Sequence, residues 1–225
     1  MPLSVRSILV ALFVVPCLSV SSVAEDKFPW QTNMRKFVKL SSDQKQIYLD
    51  SFFESMFFIL YGITDANNPE ALKEVNGWID CVIQTRKVKN WTPDLTWALA
   101  ENMDKGAAWV LYHKVAPVIC HGFDRNAGTS RRLLRIYTFD DWERWALKTK
   151  AIYLAGFLDT MATFEVRMKD QGMQNHLDEL QALVEAAGID GILAEAVKIK
   201  SESKLPLPWT MAAGVEVARN KVIKQ

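Results

Sequence analysis

Apolar residues recur at helical spacing in two stretches that are nearly the same: residues 47–56, IYLDSFFESM, and residues 152–161, IYLAGFLDTM. At an offset of 105 positions, Ile, Tyr, Leu, Phe and Met are identical. Phe53 and Leu158, Glu54 and Asp159, and Ser55 and Thr160 are near substitutions. On a helix, Leu49, Phe52, Phe53, Met56 and Leu60 share one face, as do Leu154, Phe157, Leu158 and Met161. Each stretch therefore predicts an amphipathic core helix, and the pair reads as a duplication. The same offset places Trp142 over Phe37 and Trp145 over Leu40, which carries the repeat upstream.

The remaining pattern is also helical. Ser41, Ser42 and Asp43 cap a helix that runs to about Tyr61 and stops at Gly62. A second begins at Pro69, a residue suited to the first helical turn, and carries Leu72, Val75, Trp78, Ile79 and Val82 on one face. Thr92, Pro93 and Asp94 open a third, whose apolar residues Leu95, Leu99, Met103, Ala107, Val110 and Leu111 continue towards Cys120. Beyond Phe139, a long helix is predicted over about 140–170, ended by Gly172. Leu177, Leu180, Leu183 and Val184 mark the next, up to Gly188. A further one covers 189–199, and the last opens at Leu205-Pro206-Leu207-Pro208 and runs to about Ile223. Alternating β-branched positions are scarce. The predicted fold is all-α, a bundle of two duplicated helical units packed as one domain.

The chain starts differently. Arg6, the apolar run 7–20 and Ser22-Val23-Ala24 have the form of an export signal with a small-x-small cleavage site. The expected organisation is a signal peptide (1–24), a disulfide-bearing helical unit (25–121), a basic linker (122–137) and a second helical unit (138–225). No later stretch reaches the roughly 18 apolar residues of a membrane span, so the exported chain is expected to be soluble. It is expected in a periplasm or secreted.

Of 27 Lys and Arg, one (Arg6) leaves with the leader, and the 26 that remain balance 26 Asp and Glu. A net charge of zero provides no field for nucleic acid or an anionic membrane. Cys81 and Cys120 are the cysteines left after Cys17 is removed. In an oxidising compartment such a pair is most simply a disulfide. The linker gathers Arg125, Arg131, Arg132 and Arg135. It is either a solvated connection or a docking patch for an acidic partner.

Candidate chemistry is sparse. Cys120-His121 lacks the second Cys of a haem attachment motif, and His113, His121 and His176 stand at no metal-ligand spacing. Neither a metal nor a cofactor is expected. Ser51 lacks the glycines of a nucleophile elbow. Glu54 and Asp159, equivalent in the two repeats, are placed at the edge of each core face. There they either accept a hydrogen bond from a neighbouring helix, face water, or form an acid/base pair across a cleft. Gly156 within a helix, matched by Ser51, marks close helix approach. Eight tryptophans admit a carbohydrate reading, but Trp30, Trp78, Trp97, Trp109 and Trp145 sit in apolar patterns that fit a core. Asn90-Trp91-Thr92 has the form of a glycosylation acceptor, which matters only in a eukaryotic secretory pathway.

Tyr153-Leu154-Ala155-Gly156-Phe157-Leu158-Asp159, together with Cys81 and Pro117-Val118-Ile119-Cys120, resembles the Rap1a/Tai immunity proteins, a periplasmic helical family. The motif is divided here: the first unit has Asp50-Ser51 where the glycine is expected, and the second has no cysteine. The resemblance implies a helical fold, export, and action by binding and blocking an amidase effector delivered by a type VI secretion system. The expected function is thus that of a non-enzymatic binding protein, possessing another protein as partner and compatible with self-association. A periplasmic structural or chaperone-like helical protein is the alternative.

Overall fold

A computed structural model of the chain describes residues 31–63, 69–87, 102–120, 136–168, 174–198 and 207–223. The elements are α1 (Met34–Val38), α2 (Ser42–Ile63), α3 (Pro69–Thr85), α4 (Ala107–Val110) and α5 (Ala116–Ile119), with a π-helical turn over Leu111–Val115 joining the last two. They continue with α6 (Phe139–Arg144), α7 (Leu147–Met168), α8 (Gln174–Ala196) and α9 (Leu207–Ile223). Among the described residues the fold is all-α, with an isolated bridge between Asn33 and Gly106. None of their helices is long and apolar enough to cross a membrane.

Local chemistry explains the helix starts. Ser41 accepts from the Gln44 N–H while Gln44 accepts from the Ser41 N–H, a reciprocal cap that begins α2. Thr138 and Asp141 do the same for α6, and the Asn33 side chain caps α1 by accepting from Lys36. Pro117 has no N–H to return to the preceding turn, and its ring crowds the carbonyl of an α-helix there. The backbone widens into the π-helical turn directly before it, with Ala116 N–H reaching Leu111 O.

Two helical expectations change in detail. The long helix over 140–170 is two helices, because Trp145 is extended (φ −72°, ψ 144°). Its ring packs on Tyr137 (4.8 Å between centroids) and Tyr153 (5.5 Å), contacts that a continuous helix would not place there. The third predicted helix does not run unbroken to Cys120. Residues 103–106 leave the helix and meet the start of α1 and the residues just ahead of it, with Met34 N–H donating to Lys105 O, Arg35 N–H to Met103 O and Ala107 N–H to Thr32 O. The start of that helix, residues 92–101, lies outside the described residues. Gly188 does divide α8, at φ 60° and ψ 176°, a backbone region open to glycine and strained for any L side chain.

Helices α2 and α7, both 22 residues long with first residues 105 positions apart, pack along each other at the centre. Around them, α8 lies on α7 and α9 on α8, while α3 packs on α2. Partners also cross over: α4 contacts α7, and α9 contacts α2. Two apolar cores result. One gathers Met34, Phe37, Leu49, Phe52, Phe53, Met56 and Trp109, and the other Trp142, Leu154, Leu158, Leu183, Ile192 and Met211. Phe157 belongs to the second and Phe164, from the far end of α7, to the first. At the seam, a Cβ added to Gly156 would stand 2.9 Å from Ser51 Cβ and 3.0 Å from Tyr48 O. Gly156 and Ser51 are thus each other's crowded neighbour, and Ser51 Oγ donates to Tyr153 O across 2.6 Å.

Candidate functional site

The most unusual chemistry in the described chain lies where α2 and α7 meet. Glu54 and Asp159 are not at the edge of the core faces. They are 1% and 0% exposed, inside the seam between the two cores. A bare carboxylate there would be very unfavourable, so its oxygens need donors. Tyr48 on α2 donates its hydroxyl to Asp159 Oδ2 on α7 across 2.8 Å. In return, Tyr153 on α7 donates to Glu54 Oε2 on α2 across 2.5 Å.

Backbone completes each acceptor. Asp159 receives the N–H groups of Gln31 (2.8 Å) and Thr32 (2.9 Å), at the approach to α1. Glu54 receives those of Ile136 (2.5 Å) and Tyr137 (2.7 Å), at the approach to α6. The Tyr48 oxygen in turn faces the Ala108 N–H in the first turn of α4, an otherwise orphaned donor. Rings frame both tyrosines: Phe37 lies edge-on to Tyr48 at 5.3 Å, and Trp142 to Tyr153 at 6.4 Å.

The two ends differ in one respect. Asp50, one helical turn before Glu54, is also buried, whereas Ala155 precedes Asp159. Asp50 accepts the Tyr137 hydroxyl (2.8 Å) and Gln46 Nε2 (2.9 Å), and Gln46 also reaches Arg86 O.

Burial sets the electrostatics. It pushes Glu54 from 4.5 up to about 8, against the pull of its hydrogen bonds from Tyr153, Tyr137 and Ile136, and the nearby Asp50 adds to the rise. Asp159 is pushed from 3.8 up to about 7, opposed by Gln31, Tyr48, Thr32 and the charge of Lys36. Asp50 is raised too, again by burial. Burial and the adjoining carboxylates lift Tyr48, Tyr137 and Tyr153 well above the ordinary phenol range, so all three stay protonated donors. Chemically the cluster can hold a proton near neutral pH and fasten four backbone segments. Its oxygens are turned to internal donors.

Cys81 and Cys120 form a disulfide, with Cα atoms 5.7 Å apart, that ties the C-terminal half of α3 to the end of α5. Two residues from each cysteine, Ile83 and Val118 are 50% and 54% exposed. Arg125, Arg131, Arg132 and Arg135 lie outside the described residues, as do the expected leader, Trp30, Trp91, Trp97, His121 and the acceptor at Asn90. His113 packs on the rings of Trp109 and Tyr112, at 4.9 Å each. No group of three or more His, Cys, Asp or Glu that could hold a metal ion occurs among the described residues.

Sequence reasoning missed Tyr48 and Tyr153 as the donors, although both are identical in the repeat and six residues ahead of the paired acids. Asp50 and Tyr137 carried no such signal. No protein family, curated protein or solved structure matches the chain.

Proposed function

We propose that the chain is an exported binding protein made of two duplicated helical units, acting on another protein by contact in the manner of an inhibitor or immunity protein. The observation that carries this reading is the burial of Glu54 and Asp159, whose donors are the Tyr48 and Tyr153 hydroxyls and the backbone of Gln31, Thr32, Ile136 and Tyr137. The best acid/base candidates of the sequence are spent on joining the two units, and a catalyst needs such groups open to substrate.

Support for duplication comes from the reciprocity of those bonds. Tyr48 and Tyr153, Asp159 and Glu54, Gln31 and Ile136, and Thr32 and Tyr137 are all related by the same 105 positions, as are the starts of α2 and α7 and of α3 and α8. Each unit supplies the donor and the acceptor that the other needs, which is the contact logic of a twofold dimer carried within one chain. The Cys81–Cys120 bridge fits an oxidising compartment, periplasmic or extracellular. Exposed Ile83 and Val118 beside that bridge, together with the arginines of 122–137, are the proposed contact surface. The same apolar pair also favours the second reading, a chaperone-like helical protein that binds many unfolded chains.

Binding by the full exported chain decides between them. One folded partner held at a fixed stoichiometry, with affinity lowered by Ile83→Asp and Val118→Asp, supports the inhibitor. Affinity for many unrelated unfolded chains supports the chaperone. Turnover of a substrate by purified protein that is abolished in a folded Glu54→Gln or Asp159→Asn variant overturns both.

A further inference from the structure

Residues 136 and 137, just ahead of the Thr138 cap of α6, are held in place by an unusual clasp. Two consecutive amides, Ile136 and Tyr137, donate to one oxygen of Glu54, and the Tyr137 hydroxyl donates to Asp50. The other bond seen at Tyr137 is weak: Leu207 N–H reaches its carbonyl at 3.4 Å. Ile136 and Tyr137 are themselves only half-buried. Two carboxylates on successive turns of α2 thus grip one short strap from beneath.

We propose that this strap is a proton-controlled latch, closed while the Asp50–Glu54 pair carries no more than one negative charge and lifted when both carboxylates are charged. The charges facing the pair explain why. From α2 there is Asp50 against Glu54; from α7 the neutral phenol of Tyr153; and from the strap the neutral phenol of Tyr137. Arg86 and Lys87, beyond α3, act on Asp50. The three hydrogen bonds to Glu54 all come from uncharged groups. A second negative charge in the clasp is therefore opposed by its neighbour and by burial, and lifting the strap lets water relieve both. The Asp159 end lacks the device, because Ala155 replaces the second carboxylate, Thr32 replaces the bridging tyrosine, and Lys36 supplies a positive charge.

Backbone hydrogen exchange of the full chain between pH 5 and 9, corrected for the intrinsic pH dependence of exchange, tests the latch. The opening constant at Ile136 and Tyr137 is expected to exceed that at Phe157 and Leu158 in α7 at every pH. It should rise about tenfold per pH unit from about 5 to 8 and then level off, since Glu54 is raised to about 8 only in the closed state. Asp50→Asn removes the neighbouring charge and moves the levelling-off to lower pH, and Glu54→Gln removes the pH dependence of the strap. A strap that exchanges with the same opening constant as α7, that shows no pH dependence, or that opens after Gln31 and Thr32 overturns the proposal. So does an Asp50→Asn variant with an unchanged profile, which decides the matter if Glu54→Gln does not fold.

Discussion

Tyr48 and Asp159 join α2 to α7 through one hydrogen bond of 2.8 Å, made where neither side chain meets solvent. Removing the hydroxyl leaves Asp159 with its two backbone donors alone. A donor lost from a buried acceptor costs roughly 1–3 kcal/mol. Tyr48→Phe is expected to lower the free energy of unfolding by that amount in urea denaturation. Tyr153→Phe, which strips Glu54 in the same way, should match it. The two losses should add in the double variant to within about 0.5 kcal/mol if the ends are independent. Losses below that size in both singles would show that the tyrosines merely fill space.

The same carboxylates make stability fall as pH rises. Both are raised in the folded state, Glu54 from 4.5 to about 8 and Asp159 from 3.8 to about 7, so folding takes up protons between those limits. Their contribution is fully present below the unfolded values and is lost as pH climbs through the folded ones. While a group titrates, the slope is about 1.4 kcal/mol per pH unit. Chemical denaturation at pH 5, 6, 7 and 8 should show a declining midpoint, flattened in part by Glu54→Gln and further by Asp159→Asn. A midpoint that rises over this range would mean that the ionised carboxylates are the form the fold prefers.

Closing the 39-position separation between Cys81 and Cys120 restricts the unfolded chain and is worth about 4 kcal/mol in the chain-entropy treatment. Reduction, or Cys81→Ser with Cys120→Ser, should lower the denaturation midpoint by a corresponding amount. Peptide mapping without reductant should recover one bridged pair. Two free thiols in protein taken from an oxidising compartment would contradict both the bridge and the proposed location.

Phe157 is buried in the second core, beside the seam. Phe157→Ala should therefore cost about 3–5 kcal/mol, the usual range for a large buried aromatic. A loss under about 1 kcal/mol in the same denaturation assay would mean that this face of α7 is open.

Much of this architecture was legible because helices announce themselves by spacing. Leu49, Phe52, Phe53 and Met56 repeat at three and four residues, and their counterparts on α7 do the same, so both central helices were evident. The paired acids were visible as a pair but misplaced, because spacing alone cannot show that a polar position on an apolar helix will be met by a tyrosine from a helix 105 residues away. The break at Trp145 was hidden for a related reason. Trp142 and Trp145 keep helical spacing, and the contacts of the Trp145 ring with Tyr137 and Tyr153, each eight residues away, form only once the chain turns at Trp145. Asp50 and Tyr137 have no counterparts of their own kind in the other half, so the repeat could not point to the clasp.

Gly156 and Ser51 give the sharpest test of the seam. In an ordinary helix, Gly→Ala stabilises by about 1 kcal/mol, because alanine has less backbone freedom to lose. At Gly156 the added methyl would meet Ser51 Cβ at 2.9 Å and Tyr48 O at 3.0 Å, the latter a backbone atom that cannot rotate away. Overpacking of this kind costs typically 1–3 kcal/mol, enough to outweigh the propensity gain. Gly156→Ala should therefore destabilise despite its helical setting. Ser51→Gly should destabilise on its own by removing the hydrogen bond to Tyr153 O. It also empties the space the new methyl needs, so Ser51→Gly with Gly156→Ala should lose less than the sum of the two single losses. Simple additivity, measured by denaturation of all four proteins, would mean that α2 and α7 do not approach this closely at the seam.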